Sequence, residues 1–121
     1  MESILGIGGV FFKARDPHAL AAWYREQVGV PVVAGQTYGT LKSGCAEEQT
    51  VWSTFPADTK YFGPGSAPFM LNYRVRDLDA MLAQLRAAGA AVDDRVEEYE
   101  NGRFGWASDP EGNRFELWEP H

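Results

Sequence analysis

The sequence predicts an α+β protein built from two tandem βαβββ modules, and three observations support this prediction. An alternating run at residues 4–15 is typical of a strand, and Asp16 and Pro17 then give an N-cap and a first helical position. The same order recurs at residues 69–76 and Asp77. Pro56 and Pro120 each follow the last strand of a half. The two halves therefore form an internal repeat.

The first half contains one strand, one helix and three further strands. The helix is expected from Pro17 to Gly29, with an apolar stripe at helical spacing. That stripe contains Leu20, Trp23, Tyr24 and Val28. The strands that follow are expected at 30–34, 37–42 and 49–55. Residues 57–67 contain Gly63, Pro64 and Gly65 and are predicted to be a linker.

The second half repeats this pattern. A helix follows the cap Asp77 and ends at Gly89, with apolar positions at Leu78, Met81, Leu82, Leu85 and Ala88. Strands are predicted at 91–96, 103–108 and 114–119, and the acidic run at 97–100 is predicted to be a solvated loop. We therefore expect a single domain over residues 1–121, with module one at 1–56, the linker at 57–67 and module two at 68–121.

Composition narrows the range of functions. The chain has 121 residues, a formal net charge of −6 and a single cysteine, Cys45. Without a basic cluster, nucleic acid and anionic membranes are not expected as partners. One cysteine excludes an internal disulfide, and the N-terminal segment lacks the pattern of a signal peptide. We therefore expect a cytoplasmic location. Cys45 has no histidine near it in sequence, so a nucleophilic role is not expected.

The residues expected to bind a ligand follow from strand alternation. Each helix must cover one face of its sheet, so the opposite faces should line a cleft between the modules. If Ser108 pairs with Arg114 across the final hairpin, Trp106 lies opposite Glu116, and Phe104 lies opposite Trp118. Thr50 and Thr54 would share the face of Trp52. The predicted ligand-binding residues are Phe11, Lys13, Trp52, Met70, Asn72, Arg74, Trp106, Glu116 and Trp118.

Two interpretations of these residues remain open. Ligand sites are mostly apolar concavities with a few polar groups, and this set fits that description. The aromatic residues can instead pack against each other or against a second subunit. Glu116 can act as a general base, or it can pair with Lys13, Arg74 or Arg114.

The last stretch, Asp109-Pro-Glu-Gly-Asn-Arg-Phe-Glu-Leu-Trp-Glu-Pro120, resembles the closing hairpin of the vicinal oxygen chelate superfamily. This superfamily includes glyoxalases, extradiol dioxygenases and the fosfomycin and bleomycin resistance proteins. The resemblance implies that the paired modules curl into a half-open, barrel-like sheet around a cleft, with the helices outside. It also implies a homodimer, in which modules are sometimes exchanged.

Metal-dependent members of the superfamily place ligands, usually two His and two Glu, at four corresponding strand positions. By the resemblance, these positions fall on Gly9, Trp52, Met70 and Glu116, and Trp52 is placed by aligning Pro56 with Pro120. Only Glu116 keeps a ligand type, whereas such sites need about three or more N, O or S donors. We therefore expect no metal site and no cofactor.

The function predicted from the sequence is metal-independent binding of a small, partly aromatic molecule. The nearest analogy implied by the resemblance is a bleomycin-resistance-like protein. The alternative is a lyase, isomerase or dioxygenase in which Glu116 serves as general base or metal ligand.

Overall fold

The computed structural model describes residues 1–42 and 49–121, so Cys45 lies outside the described residues. Its eight strands and two α-helices confirm the α+β class. The elements are β1 (Ile4–Ala14), α1 (Pro17–Trp23), β2 (Tyr38–Lys42), β3 (Gln49–Pro56), β4 (Phe69–Val75), α2 (Leu78–Ala87), β5 (Ala91–Val92), β6 (Glu97–Tyr99), β7 (Gly102–Ser108) and β8 (Arg114–Pro120). They form two compact units: Gly9–Met70, called the N-terminal unit, and Met1–Gly8 with Leu71–His121, called the C-terminal unit. No helix among the described residues is long and apolar enough to cross a membrane.

The core of the N-terminal unit lies between its sheet and its helical segment. β1 pairs in parallel with β3, and β3 pairs antiparallel with β2. Trp52 packs with Ala21 in this core, and the rings of Phe12 and Tyr24 lie 5.9 and 4.8 Å from its ring. Burial of these aromatic groups on one side of the sheet holds the unit together.

Trp52 therefore faces the helix, and its predicted assignment to the opposite face is wrong. β1 and β3 pair with Val10 opposite Trp52 and Phe11 opposite Ser53. The predicted phase of β3 rested on aligning Pro56 with Pro120, which is wrong by one residue. Because side chains alternate along a strand, a shift of one residue moves every side chain to the other face. Ser53 thus shares the face of Phe11.

The first helix also departs from its predicted apolar stripe. After Trp23, the helix continues as a π-helical segment, Tyr24–Val28, which ends at Gly29 with φ of 81°. The wider π turn changes the angular position of the residues that follow it. Trp23 is accordingly 53% exposed, and Val28 is also exposed. The strand expected at 30–34 is reduced to a single bridge between Val32 and Gly39.

Residues 57–67 do more than connect the two halves. Phe62 is buried, and its ring lies 5.3 Å from that of Phe55, while Tyr61 stacks on the same ring at 5.2 Å. Phe55 in turn contacts Phe11 at 5.3 Å. This segment, called the aromatic strap, covers the face of the N-terminal sheet that lies opposite the helix.

The sheet of the C-terminal unit has the strand order β4-β8-β7-β5, with β6 also pairing to β7. The predicted pairing of Ser108 with Arg114 is confirmed. Helix α2 packs on one face of this sheet, where Leu78, Met81 and Leu82 are buried against Val75 and Leu117. The other face is called the helix-free face.

The edge of this sheet differs from the prediction. The strand expected at 91–96 ends at Val92, and pairing with β7 resumes at Glu97 in β6, so the predicted acidic loop is partly a strand. Residues 93–96 form a bulge between the two paired stretches. Such bulges redirect side chains at a sheet edge.

Both predicted N-caps are confirmed. Asp77 Oδ1 accepts a hydrogen bond from Ala80 N at 3.0 Å, and Asp16 Oδ1 accepts one from Ala19 N at 3.1 Å. We expect Asp77→Ala to lower the free energy of unfolding by about 1 kcal/mol, because it removes the cap of α2. Asp77→Asn should retain most of this stability. Urea unfolding of the three proteins checks the prediction, and an unchanged midpoint for Asp77→Ala would contradict it.

Candidate functional site

A buried carboxylate lies at the centre of the helix-free face. Pairing places Asn72 and Trp106 on either side of Glu116, on β4 and β7. Asn72 Nδ2 donates to Glu116 Oε1 at 2.5 Å, and Trp106 Nε1 donates to Glu116 Oε2 at 3.0 Å. Asn72 and Glu116 are each 1% exposed, and Trp106 is fully buried. Each carboxylate oxygen is thus held by a fixed donor.

The glycine run at the start of β1 makes room for side chains from β4. A Cβ at Gly8 would lie 2.1 Å from Asn72 Oδ1 and 3.1 Å from Arg74 Cγ, and one at Gly6 would lie 2.6 Å from Arg74 Nη2. Arg74 also donates through Nη1 to Ile7 O at 2.7 Å. The absence of side chains at Gly6 and Gly8 therefore lets the polar residues of β4 lie against β1.

An aromatic row flanks this carboxylate. Trp118 stacks on Phe104 with centroids 6.0 Å apart and planes inclined by 3°, and Trp118 Nε1 donates to Asn101 O at 2.9 Å. Tyr99 contacts Phe104 edge-on at 5.7 Å. The Tyr99 hydroxyl donates to Glu97, and this hydrogen bond raises the pKa of the phenol above its ordinary value.

Two guanidinium groups lie near the Trp106 indole. Arg95, on the bulge, lies 4.6 Å from the ring centroid, and Arg114 lies 5.9 Å from it. Arg95 Nε pairs with Glu97 Oε2 at 3.0 Å, and Arg114 forms two hydrogen bonds of 2.9 Å to Asp93. The bulge thus positions a half-exposed cation over the indole that holds Glu116.

The sequence-predicted residues are divided between the two units. The C-terminal unit brings together Asn72, Arg74, Trp106, Glu116 and Trp118. In the N-terminal unit, Phe11 and Met70 are buried, and Lys13 Nζ lies 5.4 Å from the Phe62 ring. No sequence inference identified Phe62, Tyr61 or Arg95. Two adjacent aromatic residues in a Gly- and Pro-rich segment were the only signal for the strap.

The donors at the implied metal positions do not fit a metal centre. Phe11 and Asn72 each lie five residues before a helix cap, and they pair with Ser53 and Glu116. The counterpart of Glu116 is therefore Ser53, whose hydroxyl donates to Thr54 O. Gly9, Met70 and Ser53 add no carboxylate, imidazole or thiolate to Glu116. Among residues 1–42 and 49–121, no three His, Cys, Asp or Glu side chains are grouped closely enough to hold a metal.

The space at Gly8 provides a test of this arrangement. We expect Gly8→Ala to destabilise the protein by about 1–3 kcal/mol, because the new methyl group overlaps the short, buried Asn72 side chain. Gly6→Ala is the matched control, since it meets only the flexible end of Arg74 and should cost less. Chemical unfolding compares the two variants. Equal stability of Gly8→Ala and wild type would show that Asn72 does not lie against Gly8.

Comparison with known proteins identifies the family and the fold. A family model described as a glyoxalase-like domain matches residues 9–118. The chain resembles methylmalonyl-CoA epimerase from Mycobacterium tuberculosis, with 24% identity, 98% of this chain and 89% of that chain covered, and a TM-score of 0.70. A Streptomyces coelicolor methylmalonyl-CoA epimerase variant in complex with 2-nitronate-propionyl-CoA gives 18% identity, 98% and 99% coverage, and a TM-score of 0.75.

A third similar structure carries a different name. The chain of an NAD-dependent benzaldehyde dehydrogenase structure from Legionella pneumophila gives 13% identity, 93% and 98% coverage, and a TM-score of 0.65. A search of curated proteins finds no match to the sequence. These structural likenesses show the fold alone, whereas the family model spans most of the sequence and matches it directly. The chain therefore belongs to the glyoxalase-like domain family, within the vicinal oxygen chelate superfamily that its closing hairpin resembles.

Proposed function

We propose that the protein binds a small organic molecule without a metal ion, at the helix-free face of its C-terminal unit. Glu116 anchors the polar end of the ligand, and the Phe104–Trp118 row provides apolar contact. The observation that carries this proposal is the buried Glu116 carboxylate, held by Asn72 and Trp106.

Retention of this carboxylate supports a functional role over a purely structural one. Burial of an ionised group is costly, and a well-packed apolar set in place of a buried polar or ionic one is often as stable or more stable. The opposite face of the same sheet is covered in that apolar way, with Val75 and Leu117 against Leu78. A face needed only for packing would not require Glu116.

The family supports the proposal at a coarser level. The glyoxalase-like structure from Streptomyces coelicolor holds a small organic molecule, 2-nitronate-propionyl-CoA. In the N-terminal unit of this chain, the aromatic strap covers the corresponding sheet face. Ligand contact is therefore assigned to the C-terminal unit.

The second candidate is an isomerase-type enzyme in which Glu116 moves a proton. The epimerases among the similar structures favour it. The buried Glu116 carboxylate is the group that would act as the base. The two candidates differ in one observable, because only the enzyme would exchange a substrate C–H for deuterium in heavy water.

A thermal-shift screen tests the proposal. Wild type and Glu116→Gln are heated with a panel of small aromatic amines, alcohols, amides and acids, each with EDTA or with added Zn²⁺, Ni²⁺, Mn²⁺ or Co²⁺. A ligand that binds the native state raises the midpoint by mass action. We expect stabilisation in EDTA that weakens in Glu116→Gln. Stabilisation that requires a metal, or that is equal in both proteins, would contradict the proposal.

A further inference from the structure

One acceptor atom in the C-terminal unit has no partner. Asn72 Oδ1 is buried and accepts no hydrogen bond from any described residue. Nearly all buried polar atoms in native proteins are hydrogen-bonded, so each exception requires an explanation. The oxygen belongs to a side chain that is 1% exposed, and its neighbour Glu116 is equally buried.

The surrounding hydrogen bonds fix the direction of this oxygen. Trp106 Nε1 holds Glu116 Oε2, and Glu116 Oε1 accepts from Asn72 Nδ2. Rotating the Asn72 amide by half a turn would place its oxygen against the carboxylate, and two acceptors would then face each other. The amide therefore keeps its donor on Glu116, and Oδ1 points away from the carboxylate.

Gly8 leaves this oxygen uncovered on the side of β1. A Cβ at this position would lie 2.1 Å from Oδ1 and 3.0 Å from Trp118 Cε3. Any residue other than glycine would therefore place a methyl group against the acceptor and against the indole. The glycine joins the unpartnered oxygen to the aromatic row.

Nearby cations do not satisfy this oxygen. Arg114 is paired with Asp93, Arg95 is paired with Glu97, and Arg74 donates to Ile7 O. Two acceptor groups, the Glu116 carboxylate and Asn72 Oδ1, thus lie side by side. A ligand carboxylate would add a third acceptor and would be repelled.

We propose that the ligand donates an N–H or O–H hydrogen bond to Asn72 Oδ1, and that ligands of this site carry an amine, amide or hydroxyl group at their buried end. This inference rests on the proposed function, because it names the chemistry of the molecule bound at the same face. It separates donor-bearing ligands from ethers and carboxylates of the same size.

The test compares benzyl alcohol with benzyl methyl ether, and benzylamine with benzoate, by titration of the wild-type protein followed by NMR. We expect the alcohol to bind about fivefold more tightly than the ether, the scale of one hydrogen bond. Benzylamine should bind and benzoate should not. In Asn72→Leu the preference for alcohol over ether should disappear. If that variant does not fold, the wild-type ratios and the same titrations of Gly8→Ala provide the test.

The outcomes separate this inference from the proposed function. Equal affinity for alcohol and ether, with shifts at Trp106 and loss of binding in Glu116→Gln, would overturn the donor inference and keep the proposed function. Binding of none of the four probes at the Trp106 indole would count against both. A preference for the alcohol that persists in Asn72→Leu would assign the hydrogen bond to another residue and overturn the inference.

Discussion

Trp52→Ala is expected to lower the free energy of unfolding by about 3–5 kcal/mol, the usual loss for a large buried aromatic side chain. Trp52 is 4% exposed and contacts Ala21, Phe12 and Tyr24. Removing it would leave a cavity between β3 and the helical segment. Urea unfolding, followed by far-ultraviolet circular dichroism, measures the change.

Trp23→Ala is the matched control for this prediction. It removes the same side chain from the neighbouring helix, but Trp23 is largely exposed, so the loss should be about 0.5 kcal/mol or less. Equal stability losses in the two variants would contradict the helix-facing assignment of Trp52. A stable Trp52→Ala protein with weakened ligand binding would restore the sequence-based assignment.

Glu116→Ala is expected to lower the free energy of unfolding by about 2–5 kcal/mol and to abolish ligand binding. It leaves Asn72 Nδ2 and Trp106 Nε1 as buried donors without their carboxylate partner, and each loss costs about 1–3 kcal/mol. Urea unfolding and calorimetric titration with the best molecule from the screen measure the two effects.

Glu116→Gln separates charge from shape in the same position. The amide keeps an acceptor for Trp106, and its new donor can be met by Asn72 if that amide rotates, so the stability loss should be about 1 kcal/mol or less. Binding should still weaken, because the charge is gone. A Glu116→Ala protein as stable as wild type would show that this network contributes nothing to the fold.

Much of the fold could be predicted because local signals agreed with it. Asp16 and Asp77 cap helices, and the hairpin at Asp109–Asn113 sets the register of β7 and β8. The turn is specific: the Asn113 side chain hydrogen-bonds to Asp109 and lowers the pKa of that carboxyl. Such features depend on residues close together in the sequence.

The errors arose where pairing between distant residues decides the structure. Nothing near Trp52 in sequence fixes the register of β3 against β1, and a one-residue difference reverses its face. The π turn after Trp23 and the bulge at 93–96 likewise leave no clear pattern in the sequence. Phe62 is buried because the strap folds back on Phe55, a contact that the Gly- and Pro-rich composition does not indicate.

The candidate site was predictable only in outline. Alternation placed Asn72 on the helix-free face of β4, and the hairpin register placed Trp106 and Glu116 opposite each other. Hydrogen-bond partners depend on side-chain conformations, so the Asn72–Glu116–Trp106 network required the structure. The role of Gly8 was equally hidden, because it depends on a side chain from another strand.

The four tryptophans provide the most direct test of the central claim, since each gives one indole N–H resonance in a ¹H–¹⁵N spectrum. Single Trp→Phe variants assign them, and a stabilising molecule from the screen is then titrated. The account predicts that the Trp106 resonance, with its donor on Glu116, and the Trp118 resonance shift, while Trp23 and Trp52 stay in place. Shifts confined to Trp23 or Trp52, with Trp106 unchanged, would contradict binding at the helix-free face.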